Sequence, residues 1–226
     1  MQQEINAILF GATGMIGSGV LIECLEDPDV KSVLIIGRSS SKISHPKVKE
    51  LLIKDFTDYS EVEDQLTGYN ACFFCLGISS FGMEEDAYTK ITYDYSVAAA
   101  EVLSRLNPEM TFSFISGQST DSTEKGSTMW ARVKGRAENA VKSYPFKAVY
   151  LFRPGYIHPM KGVKSRTRIY QILIPIFSPF FPIMKRLMPG SVTTSVNLGQ
   201  AMIKSAKIGY EKQVLENPDI NTLAER

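Results

Sequence analysis

The 226-residue sequence is poor in the residues that most often carry redox or metal chemistry, with three cysteines and two histidines. Cys24, Cys72 and Cys75 are too few for a disulfide framework in a chain of this size. The Cys72-Phe-Phe-Cys75 spacing lies inside an apolar run rather than at a helix N-terminus that would lower a thiol pKa, which argues against redox chemistry. No second ligand cluster accompanies it, so no metal site is expected. Uninterrupted apolar stretches all fall short of the roughly 18 residues that a membrane span needs. The opening Met-Gln-Gln-Glu-Ile-Asn also lacks the basic start and apolar core of a signal peptide, so a cytoplasmic protein is expected. Acidic residues are missing between Glu138 and Glu211, where Lys161, Lys164, Arg166, Arg168, Lys185 and Arg186 stand without them, which predicts an electropositive C-terminal lobe. Those cations come without interleaved aromatics or a recognition helix, so nucleic acid is not an expected partner.

What the sequence has is glycine in a telling place. Gly11-Ala-Thr13-Gly14-Met15-Ile16-Gly17 follows the apolar stretch Ile5 to Phe10 and opens a helix-like stretch, Met15 to Leu25. Glycines so spaced allow a tight strand-to-helix turn, close backbone approach to a pyrophosphate and close helix packing, with helix N-terminal amides facing the anion. A nicotinamide dinucleotide is therefore the expected ligand. A second apolar strand, Val33 to Ile36, ends in Gly37-Arg38-Ser39-Ser40. Arg38 stands about 20 residues beyond the glycines, where NAD binders place an acid for the ribose hydroxyls. A guanidinium there can stack on adenine and hold a 2′-phosphate bidentately, with Ser39, Ser40 and Lys42 as further donors, so NADP(H) is favoured over NAD(H).

Short apolar strands alternate with helical patterns: Ile5 to Phe10, Val33 to Ile36, Val48 to Ile53, Ala71 to Leu76, Thr111 to Ile115 and Lys147 to Phe152. This predicts an α/β fold, a doubly wound parallel (Rossmann) sheet of strand order 3-2-1-4-5-6, with ligands at the carboxyl ends of the strands. Those ends supply the site candidates. Asp55 is placed to accept from the adenine amino group with Phe56 alongside, or else to cap a turn. Leu76 and Gly77 follow the fourth strand, Gly77 letting the backbone approach the cofactor ribose, and Pro154 follows the sixth.

Length suits a single domain over residues 1–226, in which 156–194 reads as a small C-terminal substrate cap or interface insertion. Within it, Ile172 to Met184 is apolar, broken by three prolines and flanked by basic residues. Three roles fit: a cap over the nicotinamide end, a homo-oligomer interface, or a protein- or membrane-contacting surface over 161–190.

The glycine pattern, Cys75-Leu-Gly77, a helix carrying Lys134, Leu151-Phe-Arg-Pro-Gly155 and the closing Val214-Leu-Glu-Asn together resemble the atypical members of the short-chain dehydrogenase/reductase superfamily, which include nucleoside-diphosphate-sugar epimerase-like proteins. The resemblance implies a Tyr-x-x-x-Lys helix whose lysine holds the nicotinamide ribose and whose tyrosine exchanges a proton with a small-molecule substrate. It also implies a serine after the fifth strand that orients the substrate oxygen. Here the helix reads Trp130-Ala-Arg-Val-Lys134, and the position matching the serine is Gly117. Indole is neither an acid nor a base near neutral pH. Ser116 and Ser119 are then candidates to bind a substrate oxygen, and Tyr156 and His158 to relay a proton, with His158 in the range for a switch at neutral pH. The expected function is an NADP(H)-binding protein with weak, altered or absent oxidoreductase activity. The alternatives are an active reductase or epimerase with a substitute proton donor, and a cofactor-sensing interaction module.

Overall fold

The computed structural model describes residues 4–164, 178 and 181–226. Six strands follow the expected alternation: β1 (Ile5–Phe10), β2 (Val30–Gly37), β3 (Val48–Leu52), β4 (Ala71–Phe74), β5 (Thr111–Ile115) and β6 (Ala148–Arg153). With β9 (Val214–Glu216) they make a seven-stranded sheet of order β3-β2-β1-β4-β5-β6-β9, in which every pairing is parallel. The expected doubly wound order is thus present and extended by one strand at the β6 edge.

Parallel strands need crossover connections, and the covering helices bury both faces. Alternate residues of β1 go to opposite sides. Ile5, Ala7 and Leu9 join the core beneath α1 (Met15–Glu26) and α6 (Ser195–Lys207), while Ile8 and Phe10 join the core beneath α3 (Tyr95–Leu106) and α4 (Met129–Lys142). All five are fully buried, which is why β1 is apolar at every position but Asn6. A short α2 (Glu85–Thr89) runs into α3 through one π-helical stretch, Lys90–Asp94.

α1 and α6 pack backbone against backbone. A Cβ on Gly19 would meet the Ser195 Cβ at 3.1 Å, and one on Gly199 would meet the Glu23 Cγ at 2.6 Å. Glu23, buried on α1, accepts from Lys161 Nζ at 2.7 Å and from Gln200 Nε2 at 3.2 Å. Lys207 likewise pairs with Asp27 and Asp29. Two cations of the acid-free stretch expected to be electropositive, Lys161 and Lys207, are therefore neutralised by acids of the N-terminal half.

After β6 the chain forms a second, two-stranded parallel sheet from β7 (Tyr156–His158) and β8 (Val192–Thr194), with α5 (Phe181–Leu187) between them in sequence. Phe181 stacks on His158, ring centroids 4.2 Å apart at 13°. The expectations placed on Arg166, Arg168 and most of the apolar segment 172–184 lie outside the described residues. A C-terminal α7 (Asn217–Glu225) closes the chain, started by a capping box between Glu216 and Asp219.

Candidate functional site

The strand ends of β1, β2, β4, β5 and β6 surround a cleft of about 670 Å³. The turn at β1 forms its floor. Gly11 has φ +76°, and a Cβ there would lie 2.6 Å from the Cys75 carbonyl oxygen. A Cβ on Gly17 would lie 2.1 Å from the Gly11 oxygen, so α1 could not approach the turn with any larger residue. Gly14 is the N-cap of α1 and makes no side-chain cap, which leaves first-turn amides available to a ligand. Gly11, Thr13, Gly14, Met15 and Ile16 all line the cleft, while Gly17 is buried beneath it. A turn of this kind binds phosphate through backbone amides and the helix dipole.

At one end stand Arg38 and Ser39, exposed and facing the cleft. Ser40 and Ser41 are occupied instead with Glu50: Ser40 Oγ donates to its carboxylate at 2.7 Å and the Ser41 amide at 2.7 Å. Phe56 lines the same end, buried against Tyr95 with ring centroids 5.3 Å apart. Asp55 is not among the lining residues. Its Oδ1 accepts from the Thr57 amide at 2.9 Å and the Thr57 hydroxyl at 2.8 Å, bonds that hold its pKa below the usual carboxylate range. Of the two roles open to Asp55, the structure gives it the turn.

Along the middle, Leu76 and Gly77 follow β4, and a Cβ on Gly77 would meet nothing within 4 Å. That open space lies over the cleft, where close backbone approach of a ligand would use it. Cys75 lines the cleft too, and burial pushes the thiols of Cys24, Cys72 and Cys75 up, far from reactive thiolates. Among the described residues, no group of three or more His, Cys, Asp or Glu side chains is placed to hold a metal ion.

At the far end stand Ser116, Lys134, Pro154 and Gly155. Lys134 comes from α4, and its ammonium donates to the Ser116 carbonyl oxygen. Burial pulls the amine down from 10.5 to about 8, with Glu138 acting in the opposite sense. Ser116 is 5% exposed, and its hydroxyl donates to Glu138 Oε1 at 2.5 Å, with the Phe152 carbonyl oxygen 3.2 Å away. That hydroxyl is engaged by the protein rather than free for a substrate. Ser119 is exposed, at φ +68°, and does not line the cleft. Neither do Tyr156 and His158, which sit on β7 beside Phe181; burial raises the tyrosine pKa and lowers the histidine pKa. Neither the substrate-oxygen candidate Ser119 nor the two proton-relay candidates, Tyr156 and His158, thus line the cleft beside Lys134.

The two positions that depart from the dehydrogenase pattern do converge. A Cβ on Gly117 would stand 4.0 Å from Cζ3 of Trp130. Glycine and indole are thus neighbours, and neither is among the residues that line the cleft.

With this geometry in place, relatives are informative. No family model matches the chain. Protein HTATIP2 of Rattus norvegicus is 26% identical over 158 residues, 69% of this chain and 64% of the rat protein. Protein fmp52-1, mitochondrial, of Aspergillus terreus is 27% identical over 174 residues, 72% of this chain and 70% of that one. Among solved structures, UDP-N-acetylglucosamine 4-epimerase from Methanobrevibacter ruminantium superposes with a TM-score of 0.70 at 18% identity, covering 99% of this chain and 81% of the epimerase. The enzyme WbmF of Bordetella bronchiseptica, in complex with NAD+, superposes at 0.66 with 16% identity, covering 99% and 78%. The resemblance to atypical short-chain dehydrogenase/reductases holds. The expectation of a cytoplasmic protein does not, since several fungal relatives carry a mitochondrial designation in their names. Among the described residues no helix is long and apolar enough to cross a membrane.

Sequence reasoning missed Glu138 and its partner Arg153. Arg153 Nε donates to Glu138 Oε1 at 2.9 Å, and its Nη2 pairs with Oε2. The available signal was a glutamate on the stripe Ala131, Lys134, Gly135, Glu138, Val141, the spacing of a buried helix face.

Proposed function

We propose that the chain is an NADP(H)-binding protein of the atypical short-chain dehydrogenase/reductase type, with weak, altered or absent oxidoreductase activity. The observation that carries this reading is the meeting of Gly117 and Trp130 beside an otherwise well-formed dinucleotide cleft. The cleft residues fit a dinucleotide. Uncapped amides of the first turn of α1, from Met15 onward, suit the pyrophosphate, Arg38 and Ser39 suit a 2′-phosphate, and Lys134 suits the hydroxyls of the nicotinamide ribose. When bound, the nicotinamide supplies or accepts a hydride. The chain's own task would be to move a proton at the substrate oxygen, and indole and glycine have none to offer.

An active reductase or sugar-nucleotide epimerase would need a substitute donor. Tyr156 and His158 stand off the cleft, so neither supports that reading. The test is calorimetric titration of the protein with NADPH and NADH, combined with carbonyl-dependent oxidation of NADPH followed at 340 nm over a panel of aldehydes and ketones. Tighter binding of NADPH with slow or no turnover is the expected result. Preferential binding of NADH would remove Arg38 from its role, and rapid turnover would remove the loss of activity.

A further inference from the structure

Glu138 is 1% exposed, at the centre of a hydrogen-bonded chain that runs from the cleft to the sheet edge. Its Oε1 accepts from Ser116 Oγ at 2.5 Å and from Arg153 Nε at 2.9 Å, and its Oε2 pairs with Arg153 Nη2. Arg153 reaches on to Ser122 Oγ at 2.5 Å and lies 3.8 Å from a Glu216 carboxylate oxygen. A carboxylate this buried is tolerable only when its charge and lone pairs are met, and here they are. Ser116 is held from both ends: its hydroxyl by Glu138, its carbonyl oxygen by the Lys134 ammonium. Lys134 and Glu138, four residues apart on α4, thus grip the same residue of the loop after β5.

We propose that Glu138 is a positioning residue for Lys134: it locks Ser116, on whose carbonyl the amine rests, and supplies the negative charge that keeps that amine cationic inside the cleft. The proposal builds on the reading of Lys134 as the group that meets the cofactor ribose. Its physical basis is a competition. Burial drives the amine toward its neutral form, to about 8, and the first charge to oppose this is the Glu138 carboxylate. The other charged or titratable groups nearby are Arg153 from β6 and Glu216 from β9, both beyond Glu138, and the Cys75 thiol, which shares the cleft and which burial keeps protonated. With the carboxylate neutralised, Lys134 would lose its proton at a lower pH and the Ser116 carbonyl would lose its anchor.

The experiment is competitive acetylation of Lys134 with isotopically distinct acetic anhydrides across pH 5 to 11, read by peptide mass spectrometry on the cofactor-free protein, alongside NADPH titration. Wild type is expected to show a midpoint near 8. In Glu138→Gln the midpoint falls by about one unit or more, a tenfold change in the protonated fraction, and NADPH binding weakens at pH 7.5 but recovers in part at pH 6. Glu138→Asp, which keeps the charge, holds the midpoint near that of wild type. An unmoved midpoint in folded Glu138→Gln would reduce Glu138 to a staple between α4 and β6 and overturn the proposal. If that variant does not fold, Glu138→Gln/Arg153→Met removes both buried charges, and its midpoint is read against that of Arg153→Met alone: a midpoint no lower than in the single variant overturns the proposal. A fallen midpoint in a protein that binds no NADPH even as wild type would support the coupling and sink the cofactor reading instead.

Discussion

Cζ3 of Trp130 stands 4.0 Å from the place a Cβ on Gly117 would take, and among the described residues, its chain neighbours aside, the other atom within 4 Å is the Pro154 carbonyl oxygen at 3.9 Å. Both are ordinary van der Waals separations, so a Cβ fits at Gly117 without moving its neighbours. The double variant Gly117→Ser/Trp130→Tyr should therefore fold and present hydroxyl and phenol beside Lys134. Carbonyl-dependent NADPH oxidation is expected to rise by about a hundredfold over wild type, the ordinary contribution of a positioned proton donor. No gain in a folded double variant that still binds NADPH would show that the cleft lacks more than its proton relay.

On the proposed reading, Arg38 carries the choice between cofactors. A guanidinium bonded to a phosphate contributes about 1.5–3 kcal/mol, so Arg38→Ala should weaken NADPH binding by about tenfold or more while leaving NADH within about twofold. Calorimetry with both nucleotides checks this. Equal losses for the two would mean that Arg38 acts on the adenine or the fold rather than on the 2′-phosphate.

Gly17 should tolerate nothing larger. A Cβ there would lie 2.1 Å from the Gly11 carbonyl oxygen, and a backbone atom cannot swing aside as a side chain can. Gly17→Ala is expected to lower the melting temperature and abolish NADPH binding together, as measured by differential scanning fluorimetry with and without nucleotide. By contrast, Gly77→Ala adds a methyl to open space. It should leave the apoprotein's melting temperature unchanged and weaken only the nucleotide-induced shift.

Lys134 sets stability against binding. Its folded pKa, about 8, lies below its ordinary 10.5. Between those values the unfolded chain holds the proton and the folded chain does not, so this group makes the apoprotein more stable as pH rises from about 8 toward 10.5. Lys134→Met should remove that slope and raise the melting temperature at pH 7, where wild type carries a desolvated cation, while weakening NADPH binding. Thermal melts at pH 7, 8.5 and 10 test the sign. A variant melting lower than wild type at pH 7 would mean that the bond to the Ser116 carbonyl outweighs the desolvation.

Most of the sheet was legible because its strands are buried on both faces and read as apolar runs, and because glycine at Gly11 and Gly17 is demanded by backbone contacts rather than by taste for a turn. β9 escaped because three residues carry no period of their own; pairing with β6 makes them a strand. The cleft's walls followed from the strand ends, so most lining residues could be named in advance. The polar network could not. Lys134 and Glu138 share a helix face, but Arg153 arrives from β6 and Ser116 from β5, and only the fold brings the four together. Asp55 lies off the cleft lining, and Thr57, two residues on, engages its Oδ1 in a turn.

Part of the cleft wall depends on a distant stretch of chain. Gly155 donates its amide to Asn217 Oδ1 at 3.2 Å, and Asn217 Nδ2 reaches the Gly190 carbonyl at 3.4 Å. A growing polypeptide can lay down β1 to β6 and still lack this clasp, so a ribosome must advance past residue 217 before the cleft has all of its sides. Ligand added during synthesis would then find a competent binder late, after nearly the whole sheet is in place.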